Sequence, residues 1–487
     1  MKNLNRSEIY ILVILVLWGT VLRAFYLDQP MRFDESATFL SYINNDWLSL
    51  FNYTAPNNHV LNSLLGKVTT SLWGSHPAII RLPAFIFGIG SIILIFIVCR
   101  ALGSSGWLAV VIMACHPYLI LFSTNARGYS GLVFFTLLFL FQAIQVIDSN
   151  SRARTLMLAL VGAVGLLNMP IMLFPICGIV LWLLLRLFSS KQNISTIFTS
   201  FLVPFSIILI GITLLLYAPV IISTTVLNGG VKQAIQMLVN NEFVAAIDST
   251  FFLSTIQSYA RNLIRVYLQS IPVALLFFGF LLTLLGCICE QKSGRHNTMQ
   301  LLLVLVCVTL VLFIAKHTFP YPRTWIFFIP VFALVADSGF SFILTRLKGY
   351  ASFAVLALPL SVLLLTPTLL QRDRFENDAD TGVFSDAGPI AKHMHSFLRP
   401  NDSVLAPIIP SNLPLYFYLW YAKNYHPNKL EPALIGSTYV FIPSPQITLE
   451  MYSHSPHPID TSHASVANGN AVKVFEFNGS AVYKLKE

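Results

Sequence analysis

Apolar residues in this chain come in long runs separated by short polar breaks. Each run is close to the roughly 20 residues that a helix rising about 1.5 Å per residue needs to cross a bilayer. The runs fall at about 9–27, 79–99, 105–122, 129–147, 154–168, 171–188, 197–220, 263–289, 299–315, 323–344 and 350–368. Eleven spans, an odd number, put the two chain ends on opposite sides. Residues 60–73 break the pattern: one side is apolar, but Asn62, Ser63, Lys67 and several Thr and Ser interrupt it. That stretch, about 14 residues long, predicts an interfacial helix on the outer surface rather than a span. From Gln371 the pattern becomes that of a small α/β domain. It predicts a helix near 386–398, a strand near 403–408, a helix near 412–424, a strand at 438–442, and a hairpin in which Asn478-Gly479 turns between 472–477 and 481–485.

Lys and Arg in the short loops set the orientation, because cytoplasmic loops retain positive charge. With the N-terminus inside, the cytoplasmic segments hold Lys2 and Arg6, Arg100, Arg152 and Arg154, Arg186 and Lys191, Lys292 and Arg295, and Arg346 and Lys348. Outside lie the segment 28–78, turns near 123–128, 169–170 and 316–322, the loop 221–262, and the tail. Counting 60–73 as a span would move Arg100 outside, against the charge bias. The expected organisation is therefore an all-α polytopic membrane domain at 1–370 and an extracytoplasmic α/β domain at 371–487.

Composition sharpens this picture. Only 10% of residues are charged and 55% are hydrophobic, whereas an ordinary soluble domain carries about 25% charged residues. The net charge of +9 belongs to residues 1–370 and is scattered among inter-helix loops, which excludes a nucleic-acid partner gripped by a basic patch. The six cysteines fall in or beside apolar runs, and no Cys/His spacing reads as a zinc site. The first span is too long for a signal-peptide core and reads as a retained anchor.

Candidate chemistry gathers on the side assigned as outer. Arg32-Phe33-Asp34-Glu35-Ser36 follows the first span. Adjacent carboxylates point in different directions, so Asp34 and Glu35 should differ in role, as catalytic groups or as the acidic start of a helix. Pro56-Asn57-Asn58-His59 precedes the interfacial helix; it reads either as a site in which the pair Asn57 and Asn58 binds hydroxyls and His59 exchanges protons or donates a hydrogen bond, or as a capped turn. Arg81 and Arg127 sit on the outer side against the charge rule, either gripping phosphate through guanidinium forks or snorkelling. Asn125, Tyr129 and His116 accompany Arg127. Lys316, His317 and Arg323, flanked by aromatics and prolines, suit a lipid phosphate or an aromatic belt. Asp337 lies deeper and serves either helix packing or function.

The ordered series Arg32-Phe33-Asp34-Glu35, Asn57-Asn58-His59-Val60-Leu61, Leu72-Trp73-Gly74, Arg81-Leu82-Pro83, and Pro117 followed by Asn125-Ala126-Arg127-Gly128-Tyr129 resembles the GT-C membrane glycosyltransferases. The resemblance is to the protein O-mannosyltransferase and aminoarabinose transferase superfamily, especially the branch with the rhizobial lipopolysaccharide-core galacturonosyltransferases. It covers the first 130 or so residues, with Arg323 and Pro330 further on. It implies a bacterial inner-membrane enzyme whose donor is a polyprenyl-phosphate sugar and whose outer-loop acid, here Asp34 with Glu35 beside it, activates a lipid, glycan or protein acceptor. The implied reaction displaces the lipid phosphate at the anomeric carbon, with Asp34 taking the acceptor proton while Arg and Lys stabilise the leaving phosphate. It requires no metal, although Asp34, Glu35 and His59 offer ligands for a divalent ion. The rival classes are a lipid-linked sugar flippase and a non-catalytic envelope-assembly protein; the near absence of acids inside the spans and of broken-helix repeats weighs against transport.

Overall fold

The computed structural model describes residues 6–52, 58–149, 151–190, 193–227, 245–246, 252–268, 273–293, 298–316, 318–319, 321–347, 384–399, 402–406, 412–423, 437–442, 471–478 and 480–485. In chain order its helices are α1 (Arg6–Phe25), α2 (Phe33–Thr38), α3 (Val60–Trp73), α4 (Pro77–Ile80), α5 (Leu82–Leu102), α6 (Trp107–Cys115), α7 (Pro117–Ser123), α8 (Tyr129–Asp148), α9 (Arg152–Asn168) and α10 (Leu173–Ser189). There follow α11 (Ile194–Ile197), α12 (Val203–Leu227), α13 (Phe252–Leu268), α14 (Val273–Ser293), α15 (Thr298–Lys316), α16 (Phe328–Leu347), α17 (Ala387–Met394) and α18 (Asn412–Lys423). Strands are β1 (Ala245–Ala246), β2 (Thr318–Phe319), β3 (Ser403–Leu405), β4 (Thr438–Ile442), β5 (Ala471–Phe477) and β6 (Ser480–Leu485). Among the described residues, six helical stretches are long and apolar enough to cross a membrane: Arg6–Phe25, Leu82–Leu102, Tyr129–Asp148, Pro170–Ser189, Ile194–Val226 and Pro322–Arg346.

Two expected spans are corrected by the backbone. The run at 105–122 is broken at His116, which turns extended (φ −62°, ψ 120°) between α6 and α7, because Pro117 has no amide hydrogen and disfavours a helical residue before it. The run at 263–289 divides between α13 and α14. The run at 350–368 lies outside the described residues, as do Asn57, His317 and much of the loop 221–262.

The chain forms two compact units, one from Met1–Asp28 with Asn45–Gln371 and one from Gln29–Asn44 with Arg372–Glu487. In the first, two features show how an apolar bundle is made specific. A Cβ on Gly339 of α16 would stand 2.0 Å from the Leu282 carbonyl oxygen, and one on Gly286 of α14 would stand 2.5 Å from the Val335 carbonyl oxygen. Glycine at both places lets the two backbones touch. Asp337 of α16 meets the start of α6 instead, where its carboxylate accepts hydrogen bonds from the amides of Gly106 (2.7 Å), Leu108 (3.0 Å) and Ala109 (3.4 Å). Those amides have no partner inside their own helix, so the structure assigns Asp337 to helix capping, the packing alternative of the sequence reading. Arg23, buried in α1, donates to the carbonyls of Gly19, Met113 and Ala114, spending its guanidinium on the last turn of α6 before the break at His116.

The second unit is a four-stranded sheet in the order β3-β4-β6-β5, parallel between β3 and β4 and antiparallel elsewhere. Asn478 takes the left-handed φ of 47° in the β5–β6 hairpin, as the Asn-Gly pair predicts. Helices α17 and α18 cover the sheet through Ile390, Met394, Leu415 and Leu419, which pack with Val404, Phe441 and Val482. The stretch Gln29–Asn44 joins this unit: the Phe39 ring lies 5.2 Å from that of Phe417 and 4.8 Å from that of Trp420, and the Met31 amide donates to the Tyr418 hydroxyl at 3.0 Å. The outer segment 28–78, read from sequence as one loop, is thus divided between the units.

Candidate functional site

In the first unit the site grows around the five residues Thr124–Gly128 that link α7 to α8. Within this link the Arg127 amide donates to the Asn125 carbonyl at 2.7 Å, closing a tight turn. Side chains from elsewhere in the chain bond to its peptide groups. His59, immediately before α3, accepts the Gly128 N–H on Nδ1 at 2.7 Å. Asn62, in the first turn of α3, donates Nδ2 to the Ala126 carbonyl at 3.1 Å, and Asn168, the last residue of α9, donates Nδ2 to the Gly128 carbonyl at 2.8 Å. Space is tight: a Cβ on Gly128 would stand 3.0 Å from His59 Nδ1, and one on Gly131 would stand 2.5 Å from Asn168 Oδ1.

Two guanidinium groups accompany this link. Arg127 is buried, with 3% of its surface exposed. Arg323 lies in a 3-10 turn (Pro322–Phe327), donates from Nε to the Tyr129 hydroxyl at 2.9 Å, and stacks on the Tyr321 ring at 4.5 Å. The Tyr129 ring meets His59 edge-on at 5.4 Å and Phe122 at 4.7 Å. Helix α13 holds the 3-10 turn in place, Tyr267 donating to the Pro322 carbonyl at 2.8 Å and Tyr259 accepting from the Trp325 indole. Burial first, and then the positive charges of Arg127 and Arg323, hold the His59 pKa well below the ordinary histidine value. His59 is therefore neutral, with Nδ1 committed to the backbone and Nε2 carrying the proton. The structure brings His59, Tyr129 and Arg323 together beside the link that carries Arg127, a cationic, aromatic-walled patch where guanidinium charges in a low-dielectric setting can hold an anion.

Other sequence candidates stand elsewhere. Asn58 spends its amide on the chain, Nδ2 on the Leu50 and Asn52 carbonyls and Oδ1 on the Ser63 hydroxyl. Arg81 is buried and donates to the Leu27 carbonyl at 2.8 Å, bracing the chain that leaves α1. Lys316 ends α15. In the second unit, Glu35 is fully buried and accepts the Arg32 amide at 3.1 Å, closing the start of α2 in the manner of a capping box. Asp34 is half-buried on the same turn, so the two adjacent acids do occupy different surroundings. Among the described residues, no three His, Cys, Asp or Glu side chains gather into a metal-binding group. Sequence reasoning passed over Asn168, whose one signal is an amide ending an otherwise apolar run, and used Asn62 only to classify its helix.

No family model and no curated protein matches the sequence. Solved structures do match. The aminoarabinose transferase ArnT from Cupriavidus metallidurans in its apo state superposes with a TM-score of 0.60 at 11% identity, covering 97% of each chain. The same protein bound to undecaprenyl phosphate gives a TM-score of 0.59, also at 11% identity and 97% coverage of each. The apo oligosaccharyltransferase of Archaeoglobus fulgidus gives 0.53 at 12% identity, over 91% of this chain and 70% of that one. At such identities it is the backbone arrangement that is shared, and this chain has the GT-C fold, the fold of these membrane glycosyltransferases.

Proposed function

We propose that the protein is a membrane glycosyltransferase that moves a sugar from a polyprenyl-phosphate carrier to an acceptor hydroxyl at the extracytoplasmic face. The observation that carries this reading is the contact of Arg323 with Tyr129, whose ring meets neutral His59, with the Arg127 charge felt at the same histidine, in a fold that one neighbour uses with undecaprenyl phosphate bound. A leaving lipid phosphate gains negative charge in the transition state, and preorganised guanidinium groups reward that gain more in an apolar setting than in water. Arg323 brings a fork already oriented by Tyr129 and Tyr321; Arg127 brings a second. Arg81 is left to brace the chain that leaves α1. In this reading Asp34 accepts the acceptor proton as the new glycosidic bond forms and the bond to phosphate oxygen breaks, and Glu35 fixes the turn that presents it. The acceptor is a lipid, glycan or protein of the bacterial envelope, the N-terminus is cytoplasmic, and transfer takes place outside the inner membrane.

The test is transfer by purified protein in nanodiscs supplied with a radiolabelled polyprenyl-phosphate sugar and envelope extract. Asp34→Asn should abolish transfer and retain carrier binding, while Arg127→Ala should weaken donor use more than acceptor use. Movement of the labelled lipid across a bilayer without bond formation would replace this reading with transport. Reporter fusions placing Asp34 and Arg127 on opposite sides would remove it.

A further inference from the structure

Within the link that carries Arg127, the Arg127 amide closes a tight turn on the Asn125 carbonyl, and Asn125, although fully buried, finds no hydrogen-bond partner for either amide atom among the described residues. Side chains from elsewhere in the chain bracket Arg127. The residue before it, Ala126, is tied through its carbonyl to Asn62. The residue after it, Gly128, is tied through its amide to His59 and through its carbonyl to Asn168. The Gly128 carbonyl also accepts the first helical bond of α8 from Leu132 at 2.8 Å, so the Asn168 amide is a second donor on an oxygen that its own helix already satisfies. Both asparagines are buried and spend their Nδ2 on this link, while their Oδ1 atoms find no partner among the described residues. They are kept at the cost of an unsatisfied acceptor each, which a role in donating to Ala126 and Gly128 explains and simple core filling does not. Gly131 completes the arrangement, since a side chain there would enter the space of the Asn168 amide.

We infer that Asn62 and Asn168 are positioning residues: from two different helices they fix the peptide groups on either side of Arg127, and so fix the direction in which its guanidinium meets a lipid-linked phosphate. This rests on the proposed phosphate role of Arg127, and the experiment separates the two. Binding of undecaprenyl phosphate to the full-length protein in nanodiscs is measured for wild type, Arg127→Ala, Asn168→Ala, Asn62→Ala, Gly131→Ala, and Asn168→Ala combined with Arg127→Ala, with thermal unfolding followed in parallel. A misplacement of about 1 Å can cost a reaction on the order of 100-fold in rate, and binding, which asks less of geometry, should lose less. Asn168→Ala and Asn62→Ala should therefore each weaken binding by about tenfold. Gly131→Ala, which displaces the Asn168 amide without removing it, should match Asn168→Ala. Adding Asn168→Ala to Arg127→Ala should change nothing further, a result that general loosening of the fold would not give. If Arg127→Ala weakens binding while the asparagine and glycine variants bind as wild type, or if the combined variant is additive, the positioning role is overturned and the phosphate role stands. If Arg127→Ala itself binds as wild type, the phosphate role fails and the inference falls with it.

Discussion

Replacing Asp337 with Ala removes the acceptor for the amides of Gly106, Leu108 and Ala109 and leaves the first turn of α6 facing the bundle unpaired. A hydrogen bond to a charged group contributes about 1.5–3 kcal/mol, but three such terms do not add here. Leu108 and Ala109 share Oδ1, and the Ala109 distance of 3.4 Å is long. Breaking a buried charged network costs about 3–5 kcal/mol, which we take as the expected loss for Asp337→Ala. Asp337→Asn retains one accepting oxygen and should lose roughly half as much. Ser105→Ala, which removes a hydroxyl at 3.3 Å from the same carboxylate, should lose less than about 1 kcal/mol. The assay is the half-life of the folded protein in detergent at raised temperature, because large membrane proteins unfold irreversibly and their stability is read as a rate. If the cap is lost on the way to the unfolding barrier, 3–5 kcal/mol shortens the half-life by roughly two to three and a half decades. A half-life for Asp337→Ala within about threefold of wild type, or Asp337→Asn faring as badly as Asp337→Ala, would refute the capping role.

Three further outcomes are expected. Gly339→Ala presses a methyl group against the Leu282 carbonyl and forces α14 and α16 apart, costing about 1–3 kcal/mol or more; unchanged thermal unfolding would count against the close approach. Phe417→Ala empties the contact with Phe39 and Tyr421 at about 3–5 kcal/mol, and limited proteolysis should then cut within 29–44 sooner than in wild type. His59 is held neutral by burial and by two arginines, so the unfolded chain binds a proton that the native one resists, and stability falls as pH drops below the ordinary histidine value of 6.5 by up to about 1.4 kcal/mol per pH unit. Above that pH the contribution is complete; a His59→Leu variant should show a shallower acid slope between pH 6.5 and 5, and an unchanged slope would refute the assignment.

Hydropathy alone placed most of the bundle, because a bilayer demands long apolar helices and few other patterns mimic them. It could not see the break at His116-Pro117 in a run that stays apolar throughout, nor the division of 263–289 into two helices. The tail was legible for a different reason: period-two strands and the Asn478-Gly479 turn are local signals. The site was legible through its charges. Arg127, Arg323 and Tyr129 stood out as polar residues at membrane borders, and their meeting with His59 depends on contacts nearly 200 residues apart that no local pattern encodes. Asn168 was hidden for the same reason, its contacts being with Gly128 in the link before α8 and Gly131 on α8. Glu35 could be read as a cap or a catalyst from sequence; its burial against the Arg32 amide accounts for the former.

The stretch Gln29–Asn44 precedes the helices of the first unit from α3 onward, yet the ring of Phe39 finds its partners Phe417 and Trp420 far downstream in α18. The second unit therefore cannot close around Phe39 until α18 has been made. If Asp34 has the role proposed for it, a copy cut short before α18 would be inert for want of that closure.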